Sequence, residues 1–183
     1  MLGLNYLHQQ SIIHRDLKPE NILLVYADKD CFDIKIADLG FACKYNKSTG
    51  VDMVLGTPLY MAPELVKQQK YSEKVDVWSL GVIVYQLLSG ITPFDGNDIR
   101  EVNKNICYQK IRFKELEWKV ISDRAKDFIT QCLDRDQKNR PTIADLFNHP
   151  WICEVPELGS PTDDEVQLCI QKNLINYQNC SNF

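Results

Sequence analysis

No Cys-x-x-Cys pair occurs in the sequence, although it contains seven cysteines. An odd number of scattered cysteines does not form a complete disulfide framework, and zinc sites are usually built from closely spaced Cys or His pairs. Such thiols fit a reducing compartment better than a secreted domain. We therefore expect a cytoplasmic protein with free cysteines and no zinc site.

The sequence also has no long apolar run and no basic cluster. The longest apolar stretch, residues 77–88, is interrupted by Ser79 and Gln86, whereas roughly twenty apolar residues are needed to cross a bilayer. The first residues lack the basic segment of a signal peptide. The formal net charge is -4, and the acidic and basic residues are interspersed. We therefore expect neither a membrane nor a nucleic-acid partner.

The chain has 183 residues, of which 44% are hydrophobic, and is long enough for one domain with one core. Apolar periodicity predicts that this domain is mainly α, with a small β ribbon near its start formed by residues 22–24 and 34–36. Helical patterns cover residues 1–7, 72–90, 99–106, 125–133 and 142–149. Ser72 and Thr142 are predicted N-caps, and Gly90 is placed to end its helix in the left-handed conformation.

Two polar segments are candidates for a functional site. Residues 38–64 show no sustained period and contain several Gly and Pro residues, which predicts a long irregular loop, and such loops inside compact domains are usually functional. Residues 14–21 are densely charged but have aliphatic residues on both sides. If those flanks are buried, the segment is pinned at both ends and holds its polar side chains at fixed positions.

Four side chains in these segments carry groups that accept protons, supply positive charge or bind metal ions. Asp16 is able to accept a proton, and Lys18 is able to neutralise a developing negative charge. Asn21 offers an amide oxygen to a hard cation, and Asp38 is placed to supply a carboxylate to the same ion. These four residues are the candidate site.

The motif HRDLKPEN, residues 14–21, resembles the catalytic loop of eukaryotic protein kinases, and DLG, residues 38–40, resembles their metal-binding triplet. Three further motifs follow in the family's order, namely GTPLYMAPE, DVWSLGVIVYQLLSG and NRPT, at residues 56–64, 76–90 and 139–142. The resemblance spans residues 1–152. It implies the large, C-terminal lobe of the protein-kinase fold, with the small lobe absent from this chain.

The resemblance implies a role for each candidate residue. Asp16 would orient the substrate hydroxyl and accept its proton, and Lys18 would stabilise the transferring phosphoryl group. Asn21 and Asp38 would hold Mg²⁺ between the phosphates of ATP. Lys18 also indicates serine or threonine substrates, because tyrosine kinases resemble one another in lacking this lysine.

Two further residues are implied on the substrate side of the cleft. Thr57 would line the acceptor site together with Lys18. Glu20, in the part of the catalytic loop that meets nucleotide and substrate, would contact a basic residue of a protein substrate. The alternative for Glu20 is a solvated loop charge.

The resemblance also implies a scaffold around the site. Arg140 and Glu64 would form a buried ion pair that anchors the end of the long loop, and Asp76 would hydrogen-bond the backbone of the catalytic loop. His14 is predicted to be a packed loop residue rather than a general base, because the family assigns that task to the aspartate. His8 is expected to be structural or exposed.

The long loop departs from the family pattern at one position. In many relatives, the residue three positions before the Gly-Thr of this loop is phosphorylated, whereas this chain has Met53 there. Asp52 is then expected to supply a weak negative partner for Arg15. We predict that activity does not need phosphorylation of the loop.

No Gly-rich loop, strand lysine or partnering glutamate precedes the catalytic loop in this chain. The chain alone is therefore expected to be nearly inactive as a kinase. Two alternatives are a non-catalytic lobe that docks substrates or a regulator without turnover, and a truncated gene product with no independent role.

The second half of the sequence resembles the calcium/calmodulin-related branch of the family, and most closely calcium-dependent protein kinases. The expected organisation is a partial kinase domain in residues 1–152, a linker in residues 153–162 and a helical extension in residues 163–183. Two interpretations of that extension are open: it packs against the lobe, or it begins a regulatory junction, followed in the full-length protein by a regulatory calcium-binding module. This chain contains no EF-hand calcium loop of its own.

Overall fold

The computed structural model describes residues 1–28, 31–46, 48–114 and 116–153. The predicted helical extension, residues 163–183, and the predicted linker apart from Cys153 lie outside these described residues. Within the described ranges, none of the helices has the length and apolar character needed to cross a bilayer.

The described chain is mostly helical with two small antiparallel sheets. This confirms the helical content and the one β ribbon expected from the sequence, whereas the second sheet was not predicted. Its helices are α1 (Leu2–Gln9), α2 (Pro63–Val66), α3 (Lys74–Ser89), α4 (Ile99–Tyr108), α5 (Asp123–Cys132), α6 (Ile143–Leu146) and α7 (Pro150–Cys153). The sheets pair β1 (Ile12–Ile13) with β4 (Cys43–Lys44), and β2 (Ile22–Asp28) with β3 (Cys31–Ile36). Short 3₁₀ turns occupy Pro19–Asn21, Pro58–Tyr60 and Leu116–Lys119.

Helix α3 forms the centre of the core. It is apolar on nearly every side, and Val77, Trp78 and Val82 have no exposed surface. Helix α5 packs along α3 and buries its predicted stripe, which consists of Ala125, Phe128, Ile129, Cys132 and Leu133. Burial of apolar surface between these two helices is therefore the main source of stability in this part of the fold.

The close approach of α3 and α5 depends on Gly81. A Cβ atom at this position would lie 2.6 Å from Cβ of Cys132 and 3.0 Å from Cδ2 of Leu133. We expect Gly81→Ala to lower the free energy of unfolding by about 1–3 kcal/mol, because the helices must move apart. This loss exceeds the gain in helix propensity of up to about 1 kcal/mol. Urea denaturation of the two proteins measures the difference.

Gly3→Ala in α1 is the matched control for this substitution. A Cβ atom at Gly3 would lie 3.5 Å from Cδ1 of Ile36, which is an ordinary contact. We expect this variant to lose no stability. Equal losses in the two variants would contradict a steric role for Gly81.

The ends of α3 agree only in part with the sequence prediction. The helix ends at Gly90, whose φ of 78° is left-handed, as predicted. The prediction of Ser72 as its N-cap is wrong, since Glu73 occupies that position. The Val75 amide donates to the Ser72 carbonyl at 3.3 Å and closes a tighter turn before the regular helix begins.

Thr142 caps α6 as predicted, and it forms a capping box with Asp145. The predicted end of this helix near Pro150 is wrong, because α6 ends at Leu146 and Pro150 begins α7. Proline suits a first helical position, where its missing N–H would have no partner in any case.

The prediction of an irregular loop over residues 38–64 is also partly wrong. Strand β4, the turn at Pro58–Tyr60 and helix α2 lie within it, and Val51 forms an isolated antiparallel bridge with Tyr71. Strands β1 and β4 have two residues each, so no period reveals them. Their pairing joins segments that are distant in the sequence.

Candidate active site

The β2–β3 ribbon places Asn21 and Asp38 at the same end. Ile22 pairs with Ile36, and the amide of Ala37 donates to the carbonyl oxygen of Asn21 at 2.8 Å. Asn21 directly precedes one strand, and Asp38 follows the other. The ribbon therefore brings the backbones of the two candidate ligand residues close together.

Asp76, in the first turn of α3, fixes the backbone of the charged segment, residues 14–21. Its carboxylate is fully buried and accepts hydrogen bonds from the amides of His14 and Arg15, both at 2.9 Å. Arg15 has a φ of 70°, a left-handed conformation that is unfavourable for a residue with a Cβ atom. The two bonds to Asp76 hold the loop in this conformation.

Two histidines support this arrangement. His8, in the last turn of α1, is buried, and its Nε2 lies 2.8 Å from Oδ2 of Asp76. The sequence predicts that His8 is structural or exposed, and the structure places it as a third partner of Asp76. His14 is buried, with Nε2 at 3.0 Å from the carbonyl oxygen of Ala37. This is the contact of a packed loop residue.

Asp16, Lys18 and Thr57 form one hydrogen-bonded cluster. Nζ of Lys18 lies 2.8 Å from Oδ2 of Asp16 and donates to Oγ1 of Thr57 at 3.1 Å. The Thr57 hydroxyl donates to Oδ1 of Asp16 at 2.7 Å. The fold thus brings together a carboxylate, an ammonium group and a hydroxyl from two separate loops.

Asn21 is also tied to this cluster. Its amide nitrogen donates to the carbonyl oxygen of Asp16 at 2.8 Å and to Oδ2 of the same residue at 3.3 Å. Because the nitrogen is directed at Asp16, the amide oxygen lies on the opposite side and is the atom available to a cation. Asp38 is exposed, and its Oδ1 accepts a hydrogen bond from the amide of Gly40 at 3.1 Å.

The donor set of Asn21 and Asp38 fits a hard cation such as Mg²⁺, which prefers amide and carboxylate oxygens. Across the part of the chain that the structure describes, no three His, Cys, Asp or Glu side chains group as a metal site. Two side chains do not fill the coordination shell of Mg²⁺, and phosphate or water oxygens would complete it.

The Asp16 carboxylate stays ionised at neutral pH in spite of its burial. Desolvation alone would raise its pKa, but the hydrogen bonds from Lys18 and Thr57 and the charge of Lys18 outweigh it and lower the pKa. The hydrogen bond to Asp16 raises the pKa of Lys18 against partial desolvation, and the charges of Asp16, Glu20 and Asp38 add to this effect. Glu20 and Asp38 therefore lie within electrostatic range of the same ammonium group.

Lys18→Met is expected to raise the pKa of Asp16, because the variant loses the main hydrogen bond and the charge that oppose desolvation. NMR titration of the Asp16 carboxyl carbon measures this change. The wild-type pKa lies below the ordinary value of 3.8. The stabilising contribution is therefore complete above that value and is lost as the pH falls through the folded pKa. The stability difference between wild type and variant should shrink over the same interval.

Lys126→Met provides the control, since Lys126 pairs with the exposed Asp123 at 3.2 Å. We expect this variant to leave the pKa of Asp16 unchanged. An unchanged or lowered pKa of Asp16 in Lys18→Met would show that the ammonium group does not hold the carboxylate ionised.

Arg140 and Glu64 form an ion pair inside the core. Nη1 and Nη2 of Arg140 donate to the two carboxylate oxygens at 2.7 and 3.0 Å, and both side chains are buried. Arg140 also donates to the carbonyl oxygens of Asp134 and Lys74 at 3.0 and 2.7 Å. Its guanidinium carbon lies 5.2 Å from the ring centroid of Trp78. The pair joins α2 to the start of α3 and to the segment before α6.

Helix α3 holds the segment after Thr57 through two residues that the sequence analysis did not assign to the site. The Ser79 hydroxyl donates to the carbonyl oxygen of Tyr60 at 2.8 Å, and the Tyr60 hydroxyl donates to Oε1 of Gln86 at 2.8 Å. The Tyr60 amide in turn donates to the Thr57 carbonyl at 2.9 Å. The sequence does contain a signal for them: Ser79 and Gln86 are polar residues in an otherwise apolar helix, and their spacing of seven places them on one face.

Arg15 has partners other than the one predicted. Its Nε donates to the carbonyl oxygen of Phe41 at 2.5 Å, and its Nη1 donates to the hydroxyl of Tyr71 at 3.3 Å. In the described structure it forms no ion pair with Asp52, which is exposed. The predicted pairing is therefore wrong, because the carbonyl of Phe41 and the hydroxyl of Tyr71 already engage the guanidinium group.

The fold is that of a protein kinase domain. It is mostly helical, its charged segment 14–21 is held in place by Asp76, and the β2–β3 ribbon begins directly after that segment. The family model described as Protein kinase domain matches residues 1–152. The chain belongs to this family.

Several curated kinases are similar to this chain. Serine/threonine-protein kinase PEPKR2 of Arabidopsis thaliana is 41% identical over 152 residues, which cover 83% of this chain and 31% of that protein. Calcium/calmodulin-dependent protein kinase type I of Schizosaccharomyces pombe is 44% identical over 155 residues, covering 83% of this chain and 46% of that protein. Myosin light chain kinase 2 of Bos taurus is 36% identical over 183 residues, covering 99% of this chain and 29% of that protein.

These comparisons confirm the resemblance to serine/threonine kinases of the calcium/calmodulin-related branch. The chain spans less than half the length of each of these relatives.

Proposed function

We propose that residues 1–152 form the large, C-terminal lobe of a serine/threonine protein kinase, which transfers phosphate from ATP to hydroxyl groups of protein substrates. The observation that supports this best is the 2.7 Å hydrogen bond from the Thr57 hydroxyl to the Asp16 carboxylate. It is a local example of the contact that a substrate hydroxyl would make. Thr57 itself would line the acceptor site.

Asp16 would act mainly by orienting the substrate hydroxyl. Its lowered pKa makes it a weak base before the reaction begins. Phosphoryl transfer passes through a loose transition state in most accounts, so the attacking oxygen needs positioning first and gives up its proton as the new O–P bond forms. Lys18, 2.8 Å from Asp16, supplies positive charge for the transferring phosphoryl oxygens.

Asn21 and Asp38 would hold Mg²⁺, which when bound neutralises charge on the phosphates of ATP. The hydrogen bond from the Asn21 nitrogen to Asp16 determines which atom of the amide is offered to the ion. Glu20 is exposed and would meet a basic residue of the protein substrate.

We further propose that the chain is part of a longer enzyme and has little activity alone. A kinase needs a Gly-rich loop and a strand lysine ahead of the catalytic loop to hold the nucleotide phosphates, and neither precedes residues 14–21 in this sequence. Charge-assisted hydrogen bonds contribute about 1.5–3 kcal/mol each, and about 1.4 kcal/mol corresponds to a tenfold change. Loss of several such bonds should lower activity by several orders of magnitude.

Regulation by calcium through a module in the longer protein is part of the same proposal. It is supported by the similarity to a kinase named as calcium/calmodulin-dependent. A cytoplasmic location stays a prediction.

The test begins with the 5′ end of the natural transcript and the protein that it encodes. That protein, purified and supplied with Mg²⁺ and ATP labelled in the γ-phosphate, should transfer label to serine or threonine of a peptide library. A protein that contains the Gly-rich segment and the strand lysine, binds ATP and transfers no phosphate would overturn the proposal. Capture of peptides without turnover would then favour the non-catalytic lobe.

A further inference from the structure

Tyr71 connects the catalytic loop to the long segment that leads to the acceptor site. We propose that Tyr71 is the positioning residue that sets residues 51–54 relative to Arg15, so that the segment is placed without an added phosphate group. The proposal deepens the kinase function proposed above and rests on it for its effect on activity.

The contacts of Tyr71 reach the segment at two points. Its hydroxyl accepts a hydrogen bond from Nη1 of Arg15 at 3.3 Å and donates to the carbonyl oxygen of Met53 at 2.6 Å. Its backbone amide and carbonyl both pair with Val51, each at 3.0 Å. Tyr71 is 2% exposed, so its own polar groups are largely shielded from water. One buried residue thus holds both ends of a short stretch of backbone.

A hydroxyl is suited to this bridge because it accepts and donates at once. The Arg15 cation polarises the O–H bond that donates to Met53, and such chains of hydrogen bonds strengthen one another. Burial raises the pKa of the Tyr71 hydroxyl, and the bond from Arg15 opposes this only in part. The hydroxyl therefore keeps its proton at neutral pH and remains a donor.

The hydrogen bonds around Arg15 leave little need for a phosphate group to position residues 51–54. Arg15 is fixed at its backbone by Asp76 and at Nε by Phe41, so its guanidinium group is already positioned. Met53 has no hydroxyl to phosphorylate. The Ser48 hydroxyl, one of the hydroxyl groups nearest to Met53 in the sequence, donates to Oδ1 of Asn46 in its own turn at 2.7 Å.

Tyr71→Phe removes the bridging hydroxyl and retains the ring. Hydrogen exchange of the purified natural protein, followed by mass spectrometry of peptides that span residues 51–54, should become about tenfold faster, which corresponds to the loss of one or two ordinary hydrogen bonds. Tyr85→Phe is the matched control. It removes another buried tyrosine hydroxyl, which donates to the Arg112 carbonyl at 2.7 Å, and should leave exchange of residues 51–54 unchanged.

Kinetics separate a positioning role from a general loss of stability. Tyr71→Phe should lower kcat/KM for a peptide substrate by about tenfold while KM for ATP stays within about twofold of wild type. Arg15→Ala combined with Tyr71→Phe should lose little more than the more severe single variant, because the two groups act in one bridge. Phosphatase treatment of wild type should change neither exchange nor rate.

Unchanged exchange of residues 51–54 in Tyr71→Phe, or the same acceleration in Tyr85→Phe, would overturn the bridge. Additive losses in the double variant, or a loss of rate after phosphatase treatment, would also overturn it. If the wild-type protein transfers no phosphate, the proposed function fails, and the exchange measurements still decide whether Tyr71 positions the segment.

Discussion

Asp16→Asn should reduce the rate of phosphoryl transfer by the natural protein by about three orders of magnitude, the middle of the range for loss of a general base. Asparagine has nearly the same shape but no charge, so it can neither orient a substrate hydroxyl as strongly nor accept its proton. The ion pair with Lys18, 2.8 Å long in the wild type, would also be lost. Initial rates with Mg²⁺, ATP and a peptide substrate measure the effect.

The loss should appear in kcat, with KM for ATP changed by no more than about twofold, because the proposed role lies in the transition state. Asp123→Asn makes the same chemical change at an exposed surface position and should leave the rate unaltered. Retention of more than about a tenth of wild-type kcat by Asp16→Asn would remove Asp16 from the catalytic role.

Arg140→Met is expected to lower the free energy of unfolding by about 3–5 kcal/mol, because it leaves the buried carboxylate of Glu64 without a countercharge. The Glu64 side chain is only 3% exposed, so water does not replace the lost partner. The carbonyl oxygens of Asp134 and Lys74 also lose a donor. Urea denaturation followed by fluorescence measures the change, since Trp78 contacts the guanidinium group.

Two further variants test whether the loss of stability in Arg140→Met comes from the unpaired charge of Glu64. Lys126→Met breaks an exposed ion pair and should cost less than about 1 kcal/mol. Arg140→Met combined with Glu64→Leu should recover part of the stability of Arg140→Met, because no unpaired charge remains in the core. A loss below about 1 kcal/mol in the single variant would mean that water or another donor reaches Glu64.

The structural elements that periodicity and cap residues signal were predictable. The stripe from Ala125 to Leu133 and the left-handed Gly90 depend on contacts or turns within a few residues, which a short window of sequence contains. The strands that were not predicted depend on contacts between segments that are distant in the sequence. Strands β1 and β4 pair across about thirty residues, a separation that a short window of sequence does not contain. The start of α3 is a different case: the turn closed by the Ser72 carbonyl is local, and a suitable cap residue one position too early gave the wrong boundary.

The residues of the candidate site also fall into those that could be predicted from the sequence and those that could not. Residues 14–21 could be singled out because charged residues between aliphatic ones are conspicuous in the sequence itself. Thr57, Asp76 and the pair of Arg140 with Glu64 could be named only because they lie in motifs that resemble those of a known family. Partners from other elements that lie outside those motifs could not be predicted. His8 meets Asp76 across 68 positions, and Tyr71 meets Arg15 across 56.

The sequence by itself determined which chemical groups this protein has, their order along the chain and the helices that local periodicity forms. Only the tertiary structure decided which groups meet, including Thr57 with Asp16, Gln86 with Tyr60 and Tyr71 with Arg15. The reason is physical: helical periodicity is a property of neighbouring residues, whereas these contacts exist only after the core around α3 has packed and brought distant segments within hydrogen-bond distance.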